Sequence, residues 1–167
     1  MEQNTPMNFR EKIIPLEKLS EWRAAFRKSG KKLVVTNGCF DLLHIGHVTY
    51  LETARGRGDF LLVGVNSDAS VGQLKGPDRP VNPEKDRAAV LAALASVDAV
   101  CIFTEKTAAR FLALAQPDIY IKGGDYTIET VNQEERQVVE QAGGKVLIVP
   151  LVPGKSTTAL LQKISRL

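Results

Sequence analysis

Short apolar runs alternate with segments whose apolar residues recur at helical spacing, from about residue 16 to the end of the chain. Leu33–Thr36, Phe60–Asn66, Ala99–Phe103, Ile119–Lys122 and Val146–Pro150 read as strands. Leu16–Ser29, Gly46–Arg57, Pro83–Ser96, Thr107–Gln116, Val131–Ala142 and Ser156–Ile164 read as helices. The punctuation agrees: Gly30 follows the first helix as a stop residue, and Gly143-Gly144 ends the fifth. Asn82-Pro83 reads as an N-cap followed by proline at the first helical position. Nearly continuous apolar strands separated by amphipathic helices imply parallel crossovers and a sheet covered on both faces. The expected fold is therefore α/β, a single domain with a Rossmann-like doubly wound parallel sheet. Residues 1–30 are expected to form an N-terminal arm and helix packed on a domain of residues 31–167, with residues 1–15 an arm or disordered leader. Ligands of such sheets bind beyond the carboxyl ends of the strands, and each motif below follows a strand.

Composition narrows the classes. The 167 residues are enough to bury one core, and 25% charged with 44% hydrophobic residues is ordinary for a globular protein. A net charge of +3 without a long Lys/Arg block argues against nucleic acid and is compatible with small anionic substrates. No apolar run approaches the ~18–20 residues of a membrane span, and the N-terminus lacks the apolar core of a secretory signal. Cys39 and Cys101 form no disulfide framework. The expectation is a cytoplasmic protein with neither membrane nor nucleic-acid partners.

Both histidines fall in one tetrapeptide, His44-Ile45-Gly46-His47, at the start of a predicted helix. Three residues apart, they share a face at its N-terminus, where unpaired N–H groups and the helix dipole attract phosphate. Gly46 between them lets a ligand approach bare backbone. Upstream, Thr36–Phe40 should form the tight loop after the first strand, with Gly38 supplying unusual dihedrals or close approach. Asp41 could orient a histidine or the loop backbone. A zinc site is the competing chemistry, but zinc takes three or four protein ligands and the chain holds no third histidine.

Three further segments carry phosphate-binding residue types. Lys75–Arg79, a loop with two cations, precedes the helix bearing Arg87, and arginine binds phosphate bidentately where lysine offers a point charge. Lys122-Gly123-Gly124-Asp125-Tyr126 follows the fourth strand. Gly154-Lys155-Ser156-Thr157 is not a Walker A loop, because Val149 stands where that motif needs its first glycine. Ser156 reads instead as the cap of the last helix, with the Thr157 and Thr158 hydroxyls facing a phosphate chain.

The run Asn37-Gly38-Cys39-Phe40-Asp41-Leu42-Leu43-His44-Ile45-Gly46-His47 resembles the signature of the His-x-Gly-His nucleotidyltransferase superfamily, of the cytidylyltransferase-like type. Val65-Asn66-Ser67-Asp68, Lys75 to Asn82, Lys122 to Tyr126 and Ser156-Thr157-Thr158 narrow the resemblance. They are similar to the stand-alone D-glycero-β-D-manno-heptose 1-phosphate adenylyltransferases, which make ADP-heptose for lipopolysaccharide. The resemblance covers roughly residues 31–165; at this length the stand-alone form, without the sugar kinase fused to many relatives, is the expectation.

It implies transfer of AMP from ATP to a sugar 1-phosphate, by in-line attack on the α-phosphate with release of pyrophosphate. His44, His47 and Lys75 would then be catalytic. Asn37, Gly38, Cys39, Phe40, Gly46, Lys122, Gly124, Asp125, Ser156, Thr157 and Thr158 would contact the nucleotide, with Asp125 near either the ribose or the sugar. Arg79, Arg87 and Lys155 would hold substrate phosphates. Mg²⁺ is expected to arrive on the triphosphate, with no dedicated protein metal site, and a homodimer is implied. The rivals are a cytidylyltransferase using CTP and glycerol 3-phosphate, a flavin-mononucleotide adenylyltransferase, and a non-catalytic nucleotide-binding domain.

Overall fold

The computed structural model describes residues 8–124 and 126–167. Among them, five strands form one wholly parallel sheet: β1 (Leu33–Gly38), β2 (Phe60–Asn66), β3 (Ala99–Phe103), β4 (Ile119–Gly123) and β5 (Lys145–Val149). Their order across the sheet is β3-β2-β1-β4-β5. The chain leaves β1 toward β2 on one side and later returns to place β4 on the other, so the crevice between β1 and β4 is the topological switch point.

The helices are α1 (Leu19–Arg27), α2 (Ile45–Arg55), α3 (Asp68–Lys75), α4 (Glu84–Ala92), α5 (Ala109–Ala115), α6 (Gln133–Gln141) and α7 (Thr157–Ile164). Alternation along the strands builds two cores. Val34, Leu61, Val63 and Val65 point to the face covered by Leu51 and Ala54 of α2 and Leu91 of α4. Leu33, Val35, Leu62 and Tyr120 point to the opposite face, covered by Leu19 of α1, Phe111 and Leu112 of α5 and Val139 of α6. The doubly wound expectation is met. Trp22 and Phe26 pack against this second core, their rings 5.4 Å apart beside Phe60.

Several local expectations are corrected. Lys75 does not sit in a loop but closes α3, where a cation suits the negative helix end. That helix starts with Ser67, whose Oγ accepts from the Ser70 backbone N–H at 3.2 Å, and ends at Gly76 with φ +102°. Asn82 does not cap α4, because Asp41 draws it away: the Asn82 side chain donates to the Asp41 carbonyl and its N–H to the Asp41 carboxylate, both at 2.9 Å. Pro83 takes the cap position without a side-chain bond. The first predicted helix is split, with a 3₁₀ turn over Leu16–Lys18 before α1.

Residues 1–7 of the expected leader lie outside the described residues. From residue 8 the segment follows the outer edge of β3, where Ile14 N–H donates to Val100 O at 2.8 Å and Lys12 Nζ to Val97 O at 2.8 Å.

Candidate functional site

At the carboxyl end of β1 the chain turns through Phe40, at φ +47°, and enters α2. His44 is the cap of that helix. Its Nδ1 accepts from the Gly46 backbone N–H at 3.1 Å, which leaves Nε2 to carry the proton of the neutral ring. His47 lies one turn on, and the two rings stack with centroids 3.9 Å apart. The Phe40 ring lies 5.4 Å from that of His47, tilted 60° to it. Burial, and then the neighbouring His44, push the His47 imidazole down to about 4, so it is neutral at pH 7. Burial and then Lys155 lower His44 as well.

At Gly46 the close approach is made by the protein's own side chains. A Cβ there would lie 2.8 Å from the His44 ring and 3.2 Å from Lys155 Cβ. The bare glycine thereby lets the start of α7 come against the start of α2. Thr157 Oγ1 donates to Leu42 O at 3.1 Å and ties the two ends together. Ser156 caps α7 as expected, its Oγ accepting from Ala159 N–H at 3.1 Å. Two helix N-termini therefore face one space, each contributing unpaired N–H groups and partial positive charge.

That space is a cavity of about 630 Å³ over the β1/β4 crevice. Of the residues singled out by sequence, it brings together Asn37, Gly38, Cys39, Phe40, His44, Gly46, His47, Lys75, Arg79, Lys122, Lys155, Ser156, Thr157 and Thr158. Among the described residues its cations outnumber its carboxylates, and the two carboxylates, Asp41 and Glu135, are already engaged. Asp41 accepts from Arg79 Nε at 2.7 Å and from the Val81 and Asn82 N–H groups at 2.9 Å. Burial alone would raise its pKa, but those bonds outweigh burial and hold it below the usual carboxylate range. Asp41 thus orients the segment 79–82 rather than a histidine. The other carboxylate, Glu135, is bound to Tyr120 and Ala108. Such a lining attracts anions. Burial raises the Cys39 thiol, with Lys75 the first of three cations opposing it.

Arg87 is a correction. Its guanidinium is buried and donates to Asn82 O, Cys39 O, Asn66 O and the Asp68 carboxylate at 2.6–2.9 Å. It knits the carboxyl ends of β1 and β2 together and does not line the cavity, so it is a structural tie and not a phosphate ligand. Gly124 is a second correction. It turns the chain at φ +129°, while Gly123 provides the close approach: a Cβ there would lie 2.6 Å from the Tyr50 ring and 2.7 Å from Leu151. Asp125 lies outside the described residues.

Sequence reasoning missed Tyr50, Lys106, Asn132, Glu135 and Leu151, which also line the cavity. Tyr50, one turn beyond Gly46, was within reach of helical spacing; its hydroxyl meets Thr36 Oγ1 at 2.6 Å and burial pushes it up to about 12. The others arrive from distant segments and carry no local signal.

The fold and paired histidines define a nucleotidyltransferase-type site, and residues 35–162 match the cytidylyltransferase-like family model; the chain belongs to that family. Among relatives, a bifunctional protein HldE of Mesorhizobium japonicum is 50% identical over 159 residues, covering 95% of this chain and 32% of the relative. Another from Geotalea uraniireducens is 54% identical over 153 residues, covering 92% and 31%. The chain thus spans about a third of the length of these relatives. A lipopolysaccharide core biosynthesis protein from Thermoplasma volcanium superimposes with a TM-score of 0.60 at 30% identity, covering 74% of this chain and 98% of its own. Pantoate-β-alanine ligase from Francisella tularensis, at 13% identity and a TM-score of 0.55 over 93% of this chain and 78% of its own, shares the fold. Among the described residues, no helix is long and apolar enough to cross a membrane.

Proposed function

We propose that this chain transfers AMP from MgATP to a sugar 1-phosphate, releasing pyrophosphate, with D-glycero-D-manno-heptose 1-phosphate as the acceptor. The observation that carries the reading is the stacked imidazole pair at the start of α2, beside the start of α7 in a cation-lined cavity. The heptose acceptor is supported by the motif resemblance and by the lipopolysaccharide core biosynthesis protein among the structural neighbours. The substrates of this reading place the protein in the cytoplasm.

The reaction needs no enzyme nucleophile. An oxygen of the sugar phosphate attacks the α-phosphorus in line, the bond to the bridging oxygen breaks, and pyrophosphate leaves with that electron pair. Negative charge grows on the non-bridging and leaving oxygens, so the protein's task is positioning and electrostatic stabilisation. His44 Nε2–H and the His47 ring donate to the α-phosphate, while Lys155, Ser156 and the α7 N-terminus receive the departing phosphates. Lys75 and Arg79 hold the acceptor phosphate. Mg²⁺ travels with the triphosphate as part of the substrate.

Pyrophosphate release measured over ATP and CTP against heptose 1-phosphate, glycerol 3-phosphate and FMN tests the reading. Turnover with ATP and heptose 1-phosphate is the expected result. A preference for CTP with glycerol 3-phosphate would replace it by the second reading, a cytidylyltransferase. Nucleotide binding without release from any pair would point to a regulatory domain.

Gly46→Ala is expected to keep the fold and lower turnover ~10²-fold, because its Cβ at 2.8 Å would displace the His44 ring. Turnover and melting temperature, measured together, check this.

The pH dependence follows from His47. Between its value of about 4 and the ordinary 6.5, the unfolded chain binds more protons than the empty folded protein, so this residue makes stability fall as pH falls through that window. A triphosphate beside the ring favours the protonated form. ATP binding near pH 6 is therefore expected to take up protons, and affinity to rise from pH 8 to 6. Calorimetry in two buffers of different ionisation enthalpy measures the uptake; buffer-independent heats would separate the histidines from the phosphates.

A further inference from the structure

The cavity has a wall that the phosphate chemistry leaves unused. It lies across the carboxyl edge of the sheet from the α2 histidines, on the face that carries α5 and α6. Asn37 at the end of β1, Lys122 at the end of β4, and Asn132 and Glu135 at the start of α6 build it. Glu135 is its centre, with a side chain only 5% exposed. One carboxylate oxygen accepts from the Ala108 backbone N–H at 2.9 Å. The other accepts from the Tyr120 hydroxyl at 2.8 Å and faces Lys122 Nζ at 3.4 Å. Lys122 Nζ in turn donates to Asn37 Oδ1 at 3.2 Å, and the Tyr120 hydroxyl shares its single proton between that oxygen, at 2.6 Å, and the Glu135 carboxylate.

This network fixes how both carboxamides face. An ammonium only donates, so the Asn37 atom against Lys122 is the oxygen. The Glu135 backbone N–H likewise requires the oxygen of Asn132, at 3.0 Å. Each NH₂ group is therefore directed away from these partners, and neither has a protein acceptor among the described residues. The result is two oriented amide donors beside an ammonium and a buried carboxylate edge. Hydroxyl groups, each both donor and acceptor, match such a wall. A purine needs apolar surface, and Leu151, Val152 and Tyr126 also line the cavity, Leu151 against Gly123 and Tyr126 against Gly124.

Resting on the function proposed above, we propose that Asn37, Lys122, Asn132 and Glu135 form the subsite for the hydroxyl-rich part of the acceptor. Asn37 and Asn132 donate to its hydroxyls. Glu135 is a positioning residue that holds Lys122 directly and the Asn37 carboxamide through Tyr120 and Lys122. Asn37 and Lys122, which the motif resemblance puts on the nucleotide, are here assigned to the acceptor.

Near-isosteric variants test this in the full chain. Asn132→Asp keeps an oxygen to cap α6, Asn37→Asp keeps an oxygen for Lys122, and Glu135→Gln keeps the shape of the buried side chain. Each is expected to raise the KM for heptose 1-phosphate roughly tenfold, the worth of one good hydrogen bond. The KM for ATP should stay within about twofold of wild type, since uniform acceptor binding alone is lost. Calorimetric titration of heptose 1-phosphate in the presence of a non-hydrolysable ATP analogue should show the same loss.

A rise in the ATP KM in place of the acceptor KM would give the wall to the nucleotide and overturn the proposal. Unchanged constants in all three variants would make the network purely structural and overturn it equally. A wild-type protein that neither turns over nor binds heptose 1-phosphate would sink this proposal and the acceptor assigned above together, whereas wild-type turnover with indifferent variants sinks this one alone.

Discussion

Replacing His47 by alanine is expected to leave a folded protein whose pyrophosphate release is slower by ~10²–10³, the usual cost of losing one well-placed transition-state donor. The fold should survive because the ring contributes packing against His44 and Phe40 but, among the described residues, no hydrogen bond at its buried nitrogen. Among the described residues its buried Nδ1 has no hydrogen-bond partner, so removing it removes an unsatisfied polar group. His44 needs a different substitution. Its Nδ1 caps α2, and alanine would cost about 0.5–2 kcal/mol of helix stability besides the chemistry. Asparagine caps helices well but has no counterpart of Nε2, so His44→Asn should lose rate with little loss of stability. Single-turnover rates and thermal melts of His47→Ala and His44→Asn separate the two effects. Near-normal rates in both would remove the imidazoles from the mechanism.

Arg87→Met should act oppositely, unfolding the protein at lower temperature. The arginine satisfies the Asn82, Cys39 and Asn66 carbonyls and pairs with Asp68 from a side chain only 1% exposed. Orphaned buried carbonyls cost roughly 1–3 kcal/mol each, and breaking a buried pair about 3–5 kcal/mol. Asp68, 43% exposed, can rehydrate, which keeps the net loss near the lower figure. A loss of about 3 kcal/mol lowers the melting temperature on the order of 10 °C in a chain of this size. Chemical denaturation measures it. An unshifted melting curve with a raised KM for a phosphate substrate would restore Arg87 to the role its sequence context implied.

These two residues show where sequence reading succeeds and stops. β2 and β3 occupy the bounds read from their apolar runs, because a strand buried on both faces writes itself as continuous hydrophobicity. The histidine pair was legible because one turn of helix holds both rings, and local spacing determines their proximity. Arg87 was not. Charge on a helix announces a possible phosphate ligand, but the carbonyls that consume it come from the ends of two strands made neighbours only by the sheet. Glu135 and Lys106 were missed for the same reason: topology, not spacing, carries them to the cavity. The short helix α3 was not among the helices read from the sequence, where only Lys75–Arg79 is read, as a loop. Its stability includes tertiary contributions, the burial of Ser70 and Val71.

The central claim is that two imidazoles at the mouth of α2 grip the phosphate at which substitution occurs. A crystal structure with a non-hydrolysable ATP analogue tests it most directly. The account predicts the α-phosphate within hydrogen-bonding distance of His44 Nε2 and the His47 ring, with the terminal phosphates running toward Ser156 and the start of α7. A triphosphate lying elsewhere in the cavity, with both rings untouched, would contradict it.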